Sequence, residues 1–583
     1  MLKLLRTMTK KEFLLALLCI VFILLQVYLE LEIPDYMTEI TTLVTTRTDA
    51  MGEILRAGGK MLLCALGSLA SSVIVAVGVA RIASRFGAKL RLRLFDRVLD
   101  FSNEELGRFS NASLITRSTN DVMQVQNALV MGFQAMVKAP VTAVWAILKI
   151  WNKNAQWTLT TGIAVALLLL IVGLMILLVL PKFKKMQRLT DDLNRVTREN
   201  LTGIRVVRAY NAEAYQEAKF EGANEALMEN HLYALRASAS LMPSIQLIMN
   251  GLSLAIYWLG AYLIEAAVGM EKLVLFSDMV VFSSYAMQVV ISFMMLAVLF
   301  VILPRASVSA GRILEVLSTE PSLTDGTGKA EKGEGKVEFR KVRFRYPDAR
   351  EDALEDISFT ALPGQTLAFI GATGSGKTTV VNLIARLYDV REGEVLVDGM
   401  NVKDYSIQDL QNKIAFVTQK AVLFGGSIAS NVAYGDSGKE PPTREEIQKA
   451  LETAQAAEFV AQRKEGIDSY VAPGGTNLSG GQKQRMSIAR AIARKPEIFI
   501  FDDSFSALDY RTDRLLRQAL KKECAGSTRI IVAQRIGTIL DADQIVVMEE
   551  GRVAGIGSHK ELLKTCEVYR QIAYSQLSKE ELE

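Results

Sequence analysis

Six runs within the first 303 residues are each long and apolar enough to cross a hydrocarbon layer of about 30 Å as a helix of about 20 residues. They are about Phe13 to Leu31, Met61 to Ala80, Ala128 to Trp151, Ala155 to Leu180, Ala237 to Ile264 and Met279 to Leu303. The second, fourth, fifth and sixth hold no charged residue between their flanks. Lys3, Arg6, Lys10 and Lys11 precede the first run as they would in a secretory leader. Phe13 to Leu29 is longer than a leader's apolar core, however, and no small-residue cleavage site follows, so it reads as a first span.

Half of the 583 residues are hydrophobic and mean hydropathy is +0.21, high for a soluble chain, yet 22% are charged. That mixture implies membrane and aqueous portions in one chain, and the length suits a large membrane part plus one further domain. A formal charge of +4 is too small on this length to argue for nucleic acid as a partner. The four cysteines form no C-x-x-C and the two histidines are scattered, which suggests neither a zinc site nor a disulfide framework. His559 reads as a surface residue.

Basic residues fix an orientation. Arg81, Arg85, Lys89, Arg91, Arg93 and Arg97 follow the second span, and Lys182, Lys184, Lys185 and Arg188 follow the fourth. Both clusters mark cytoplasmic sides, whereas Glu32, Asp35, Glu39, Asp49 and Glu53 make the first outer loop acidic. Both termini are then expected in the cytoplasm, in a multi-pass protein of the cell membrane. The connections after the second and fourth spans keep a helical period, with Leu193, Val196, Leu201 and Ile204 in the latter, so the helices are expected to run on into the cytoplasm. Ser318 to Gly335 is a polar linker, and the alternation of Val337, Phe339, Val342 and Phe344 beyond it reads as strands.

Gly371-Ala372-Thr373-Gly374-Ser375-Gly376-Lys377-Thr378 fits G-x-x-x-x-G-K-[ST], between the apolar run Leu367 to Ile370 and a helix expected from Thr378 onward through Thr379. The glycines let backbone N–H groups turn toward one anion, Lys377 reaches terminal phosphates, and Thr378 offers a hydroxyl to Mg²⁺. Asp502 ends the apolar run Ile498 to Phe501, where a carboxylate holds Mg²⁺ through its water shell.

With Leu478-Ser479-Gly480-Gly481-Gln482 between these two motifs, the chain resembles ABC transporters over nearly its whole length, specifically an exporter half-transporter. The resemblance implies a polytopic α-helical membrane domain with six transmembrane helices (residues 1–317), a linker (318–335) and an α/β P-loop ATPase domain (336–583). It implies ATP and Mg²⁺ as cofactors. Tyr346 would stack on adenine, Gln419 would help hold Mg²⁺ and the attacking water, and Asp509 would lie in a loop crossing between two ATP sites. Ser479, Gly480, Gly481 and Gln482 would face the γ-phosphate held by a second subunit. Segments near Asn103 to Ala112 and Thr202 to Tyr215 would be the short helices that couple ATPase to membrane domain, the latter with Gly203-Ile204-Arg205-Val206-Val207-Arg208-Ala209-Tyr210; solvated helices without that role are the alternative.

The chain departs from the family pattern at Asp503, where a catalytic Glu is usual, and at Gln534, where a His is usual. Losing one methylene retracts a carboxylate by about 1.5 Å, and misplacement of that order costs about 10²-fold. Gln534 can bond a phosphate but never carries the charge of a protonated His. Both changes together, beside an intact signature, resemble the subunit that holds the degenerate site of a heterodimeric multidrug exporter, whose partner bears Glu and His. A third departure is Pro473, where an acid is common.

Lys138 and Lys149 share one face of the third span, and Lys138 is expected to have no acid within these spans to pair with. A cation serving substrate in a central cavity and a lysine merely solvated there are both open. Met287, Met294 and Met295 on the sixth span either give a cavity an adaptable wall or simply pack. The function expected is ATP-driven efflux of small amphipathic compounds from a membrane of lipid. A lipid or peptide exporter, an ATP-gated channel and a regulatory membrane subunit are the alternatives.

Overall fold

The computed structural model describes residues 8–46, 50–151, 154–328 and 333–577. Lys3, Arg6 and Asp49 lie outside them, as does the side chain of Lys184. Two compact units divide the chain, one of residues 1–99 and 111–318, the other of residues 100–110 and 319–583.

Among the described residues of the first unit, six helical stretches are long and apolar enough to span a membrane: Lys10–Val44, Met51–Leu99, Asn111–Trp151, Ala155–Thr202, Glu213–Ala266 and Met270–Ser318. Helices are what lipid requires, because no water is there to bond a free N–H or C=O. The 48 residues of Ala155–Thr202 extend roughly 72 Å at about 1.5 Å per residue, more than twice the hydrocarbon thickness. Its start is fixed by Asn154, whose side chain accepts from the N–H groups of Gln156 (2.9 Å) and Trp157 (3.3 Å). The fifth stretch is interrupted at Ser240. Pro243 lacks the N–H that the carbonyl of Ala239 would otherwise receive, which accounts for the break.

The spans pack around Ile23, Val27, Val75, Val79, Trp157, Ile256, Phe282 and Val289, all buried. Leu14, Leu17, Leu63, Leu66, Leu170 and Leu177 are exposed on the same helices, as lipid-facing side chains are. Met287, Met294 and Met295 are half-buried.

One expectation fails in this unit: Lys138 has an acidic partner. Its Nζ lies 3.0 Å from Glu30 Oε1, in the last turn of the first apolar run, and Gln26 (2.8 Å) and Ser68 (3.2 Å) donate to the same oxygen. Glu30 stands inside the first run, between Leu29 and Leu31, and reading that run as uniformly apolar passed over it. Lys149 in turn pairs with Glu32 (3.1 Å) and Asp35 (2.5 Å), and the buried Tyr285 of the sixth span sits 2.6 Å from Asp35 Oδ1. The polar groups thus tie the first span to the second, third and sixth.

In the second unit the strands are β1 (Val337–Phe344), β2 (Leu354–Ala361), β3 (Thr366–Gly371), β4 (Glu392–Val397), β5 (Met400–Asn401), β6 (Ile414–Val417), β7 (Gly426–Ser427), β8 (Tyr470–Val471), β9 (Ile498–Asp502), β10 (Thr528–Val532), β11 (Gln544–Glu549) and β12 (Arg552–Gly557). A sheet ordered β2-β1-β4-β5 is antiparallel, and a second, β12-β11-β3-β10-β9-β6, is parallel except at β11–β12. Strands β9 and β10 are buried throughout, as strands covered on both faces are, hence their unbroken apolar runs. His559 is buried rather than on the surface; its Nδ1 lies 2.7 Å from the Tyr569 hydroxyl.

The short helix Asn103–Arg108 belongs to this unit. Ser102 and Glu105 cap it reciprocally. Glu105 Oε1 accepts from the N–H of Ser322 at 3.0 Å, and the Ser102 and Ser322 hydroxyls are 2.8 Å apart. Burial acts to raise the Glu105 pKa, but the hydrogen bonds from Ser102 and Ser322 outweigh it and hold the carboxyl below its ordinary value. The linker is pinned as well: Arg386 Nη2 donates to the carbonyl of Thr324 (2.8 Å) and Asp325 Oδ1 accepts from the N–H of Ile407 (2.7 Å).

Candidate functional site

Four neighbouring parallel strands, β6, β9, β10 and β3, end side by side, and each delivers site residues just past its carboxyl end. Gln419 follows β6, Asp502 and Asp503 close β9, Gln534 follows β10, and the glycine-rich loop follows β3.

The loop from Gly371 through Thr373, Gly374, Ser375 and Gly376 leads into the helix Lys377–Ile384. Gly376 takes a φ of +96°, and a Cβ there would come within 2.6 Å of Leu354 and 3.1 Å of the Ala353 carbonyl, so only glycine fits. Lys377 is buried and donates to the carbonyls of Gly371 (2.9 Å) and Ala372 (2.7 Å) and to Ser375 Oγ (3.1 Å). Burial lowers its pKa against the pull of Asp503 and Asp502, so its charge is poorly solvated and gains from an anion. Thr379 lies 2.9 Å from the phenol oxygen of Tyr346, which is itself held edge-on between Phe344 and Tyr388.

Thr378 Oγ1 donates to Asp502 Oδ1 at 2.9 Å, a hydroxyl and a carboxylate of the kind a hard divalent cation takes. Asp502 is buried and its pKa is raised by that burial, with the Thr378 bond opposing. Asp503 has a φ of +46°, a region that Asp tolerates better than most residues. Its Oδ2 accepts two amides, Gln534 Nε2 at 2.8 Å and Gln419 Nε2 at 3.1 Å. Burial raises the Asp503 pKa, and the bonds from Gln419 and Ser506 oppose it. The residues at the two departures from the family pattern therefore touch one another.

Ser479 caps the helix Gly480–Ala493: its Oγ accepts from Gln482 N (3.3 Å) and Gln482 Oε1 accepts from Ser479 N (3.0 Å). Gly481 packs 3.3 Å, measured from an ideal Cβ, from the carbonyl of Ala507, whereas a Cβ on Gly480 would meet nothing within 4 Å. Among the described residues no hydrogen bond runs from Ser479, Gly480, Gly481 or Gln482 to the glycine-rich loop. Asp509 is an N-cap, accepting from Thr512 N at 2.9 Å. Ser504, fully buried, donates to the carbonyl of Val417 (2.9 Å) and so ties the end of β9 to that of β6. A lone serine after two acids gave no signal of that role.

Residues 16–294 match the model of the ABC transporter transmembrane region, and residues 354–506 the model described as ABC transporter. Over 536 residues the chain is 39% identical to an uncharacterized ABC transporter ATP-binding protein of Mycobacterium bovis, covering 90% of this chain and 89% of that one. The chain belongs to the ABC transporter family. This ABC transporter is also 36% identical over 518 residues to an uncharacterized ABC transporter ATP-binding protein of Bacillus subtilis, covering 88% of each. It is 35% identical over 479 residues to an ATP-dependent lipid A-core flippase of Pseudomonas fluorescens, 81% of this chain and 78% of that one. Its fold is that of a bacterial Atm1-family ABC exporter solved with ATP bound, at a TM-score of 0.81, with 98% of this chain and 100% of that one covered and 23% identity. One membrane domain fused to one ATPase domain makes this ABC transporter an exporter-type half-transporter, an ATP-binding transport ATPase.

Proposed function

We propose that this half-transporter pairs with a second one bearing Glu and His where it carries Asp503 and Gln534, and that the pair exports small amphipathic compounds across the cell membrane. The observation that carries the pairing is the contrast between its two nucleotide elements. The signature helix has an intact capping box from Ser479 and Gln482, and a Cβ on Gly480 would meet nothing within 4 Å. Asp503, by contrast, is short and has one carboxylate oxygen engaged by two amides. Its own ATP site would then bind and hold nucleotide with little turnover, while its signature would complete the partner's working site. Thr378, Asp502 and Gln419 are the residues for Mg²⁺, which neutralises developing phosphate charge when bound. Lys377 and the loop N–H groups orient the phosphates, and Tyr346 would carry adenine. Closure of the two ATPase domains would turn the membrane cavity outward, and hydrolysis would reset it. The ATPase domain and both termini are assigned to the cytoplasm by the basic flanks of the second and fourth spans.

ATP-dependent uptake of an amphipathic dye into inverted vesicles, without ion current in planar bilayers, is the expected result. A current gated by ATP with no uptake would replace the exporter with a channel. The identity to lipid A-core flippases favours a second reading, lipid as the amphiphile, and ATP-driven movement of a labelled lipid between leaflets without dye uptake would select it.

Coupling is assigned to two short helices, Asn103–Arg108 and Ile204–Ala209. Beside the second, Tyr210 and Tyr215 are exposed at 79% and 69%, unusual for aromatic side chains outside lipid. Replacing both by Ala is expected to abolish substrate stimulation of ATPase and to cut transport at least about tenfold with ATP binding retained. Unchanged stimulation and transport in that double variant would remove the segment from the coupling path.

A further inference from the structure

We infer that Gln576, near the end of the last described helix, is a positioning residue for the nucleotide site: its single carboxamide holds the loop that carries Gln534, and through it the Gln534 to Asp503 contact. This rests on the reading of Asp503 and Gln534 as nucleotide-facing, but not on the identity of the partner subunit.

The loop after β10 leaves the sheet at Val532 and enters a short 3-10 turn at Ile536–Thr538. Between them the backbone is neither strand nor helix, and its polar groups need partners from elsewhere. Gln576 Nε2 donates to the carbonyl of Gln534 at 2.8 Å, and its Oε1 accepts from the N–H of Ile536 at 2.8 Å. One planar amide thus bonds a C=O and the N–H two residues on, as a neighbouring strand would. Upstream, Ala533 N donates to the carbonyl of Phe369 (3.0 Å). With both ends fixed, the Gln534 side chain is directed to Asp503 Oδ2 at 2.8 Å. The helix that supplies Gln576, Glu567–Gln576, is seated by Tyr569 and Ala573, both fully buried, so the clamp stands on a fixed base. The ring of contacts runs from the last helix to the loop, from the loop to Asp503, and from Asp503 to Gln419.

The consequence is retention of nucleotide. Without the clamp, residues 534 to 536 can rotate, Gln534 leaves Asp503, and the wall beside the terminal phosphate opens. Gln576→Ala removes both bonds. Gln576→Glu keeps the acceptor for Ile536 N–H, loses the donor, and sets a carboxylate against the Gln534 carbonyl. Gln571→Ala is the control, an exposed position on the same helix.

The test uses the full-length chain assembled with its dimer partner in lipid and loaded with radiolabelled 8-azido-ATP. Label is chased with excess ATP, crosslinked by light at intervals, and counted on this chain alone after separation by gel. Label is expected to leave about three- to tenfold faster in both Gln576 variants, the weight of one or two lost hydrogen bonds, with thermal midpoints unchanged and Gln571→Ala at the parental rate. Parental chase rates in Gln576→Glu overturn the inference, because the bond to Gln534 would then be idle. Equal acceleration in Gln571→Ala overturns it in favour of general loosening of the helix. Because retention is read on this chain whichever subunit hydrolyses, this result is separate from the fate of the heterodimer reading, which the ATPase rate of Asp503→Ala decides.

Discussion

Gly480→Asp is expected to abolish steady-state ATPase of the assembled dimer, by about 10²-fold or more, whereas Asp503→Ala changes it less than about twofold. The first change finds room for its Cβ, which meets nothing within 4 Å, and an acid in the first turn of a helix is compatible with its dipole. What it does is place a negative group where the helix N-terminus would receive the γ-phosphate of the opposite ATP. Loss of a working general base costs about 10²- to 10⁴-fold, roughly 2.7 to 5.5 kcal/mol of barrier. Asp503→Ala spares turnover only if Asp503 is not that base. Lys377→Ala should fall between, since it weakens ATP binding needed for closure and leaves the other site's chemistry in place. The measurement is ATPase of each purified dimer in lipid. A homodimer of this chain that hydrolyses ATP at an ordinary transporter rate, and loses it in Asp503→Ala, would end the heterodimer reading.

The second large effect concerns Lys138 and Glu30. Their side chains are 24% and 27% exposed, so each is desolvated enough to suffer when the other is removed. Lys138→Met should leave Glu30 with only neutral donors, Gln26 and Ser68, and Glu30→Gln should leave Lys138 without its counter-charge. Each single variant is expected to lose roughly 2 to 3 kcal/mol, below the cost of breaking a fully buried pair. The double variant, neutral at both places, should recover most of it. Thermal unfolding of the four proteins in one detergent gives the cycle. Simple additivity of the two single effects would mean that the charges do not sense one another.

The six spans and the strand-loop-helix order of the phosphate site were legible because they depend on local composition: unbroken apolar length for the first, glycine spacing after an apolar run for the second. Signature capping was legible too, since Ser479 and Gln482 stand three apart as a capping box requires. Three things were hidden for one physical reason, that sequence separation conceals spatial proximity. Glu30 is 108 residues from Lys138, Gln419 is 84 from Asp503, and Gln576 is 42 from Gln534. The first had a readable sign, an acid inside an apolar run, which membrane cost makes informative. A glutamine on an otherwise ordinary terminal helix carries none.

The helix Asn103–Arg108 is seated against Ser322, 217 residues after Glu105. A ribosome adding about 5 to 20 residues per second takes roughly 10 to 40 s to make the chain between them. During that interval Glu105 has been synthesised but its donor, the N–H of Ser322, has not, and four further spans must enter the bilayer before it arrives. The turn between the second and third spans is therefore among the last to settle. Maturation of the ATPase unit cannot finish until the membrane helices have been threaded, and a chain truncated anywhere before Ser322 leaves that turn without its mooring.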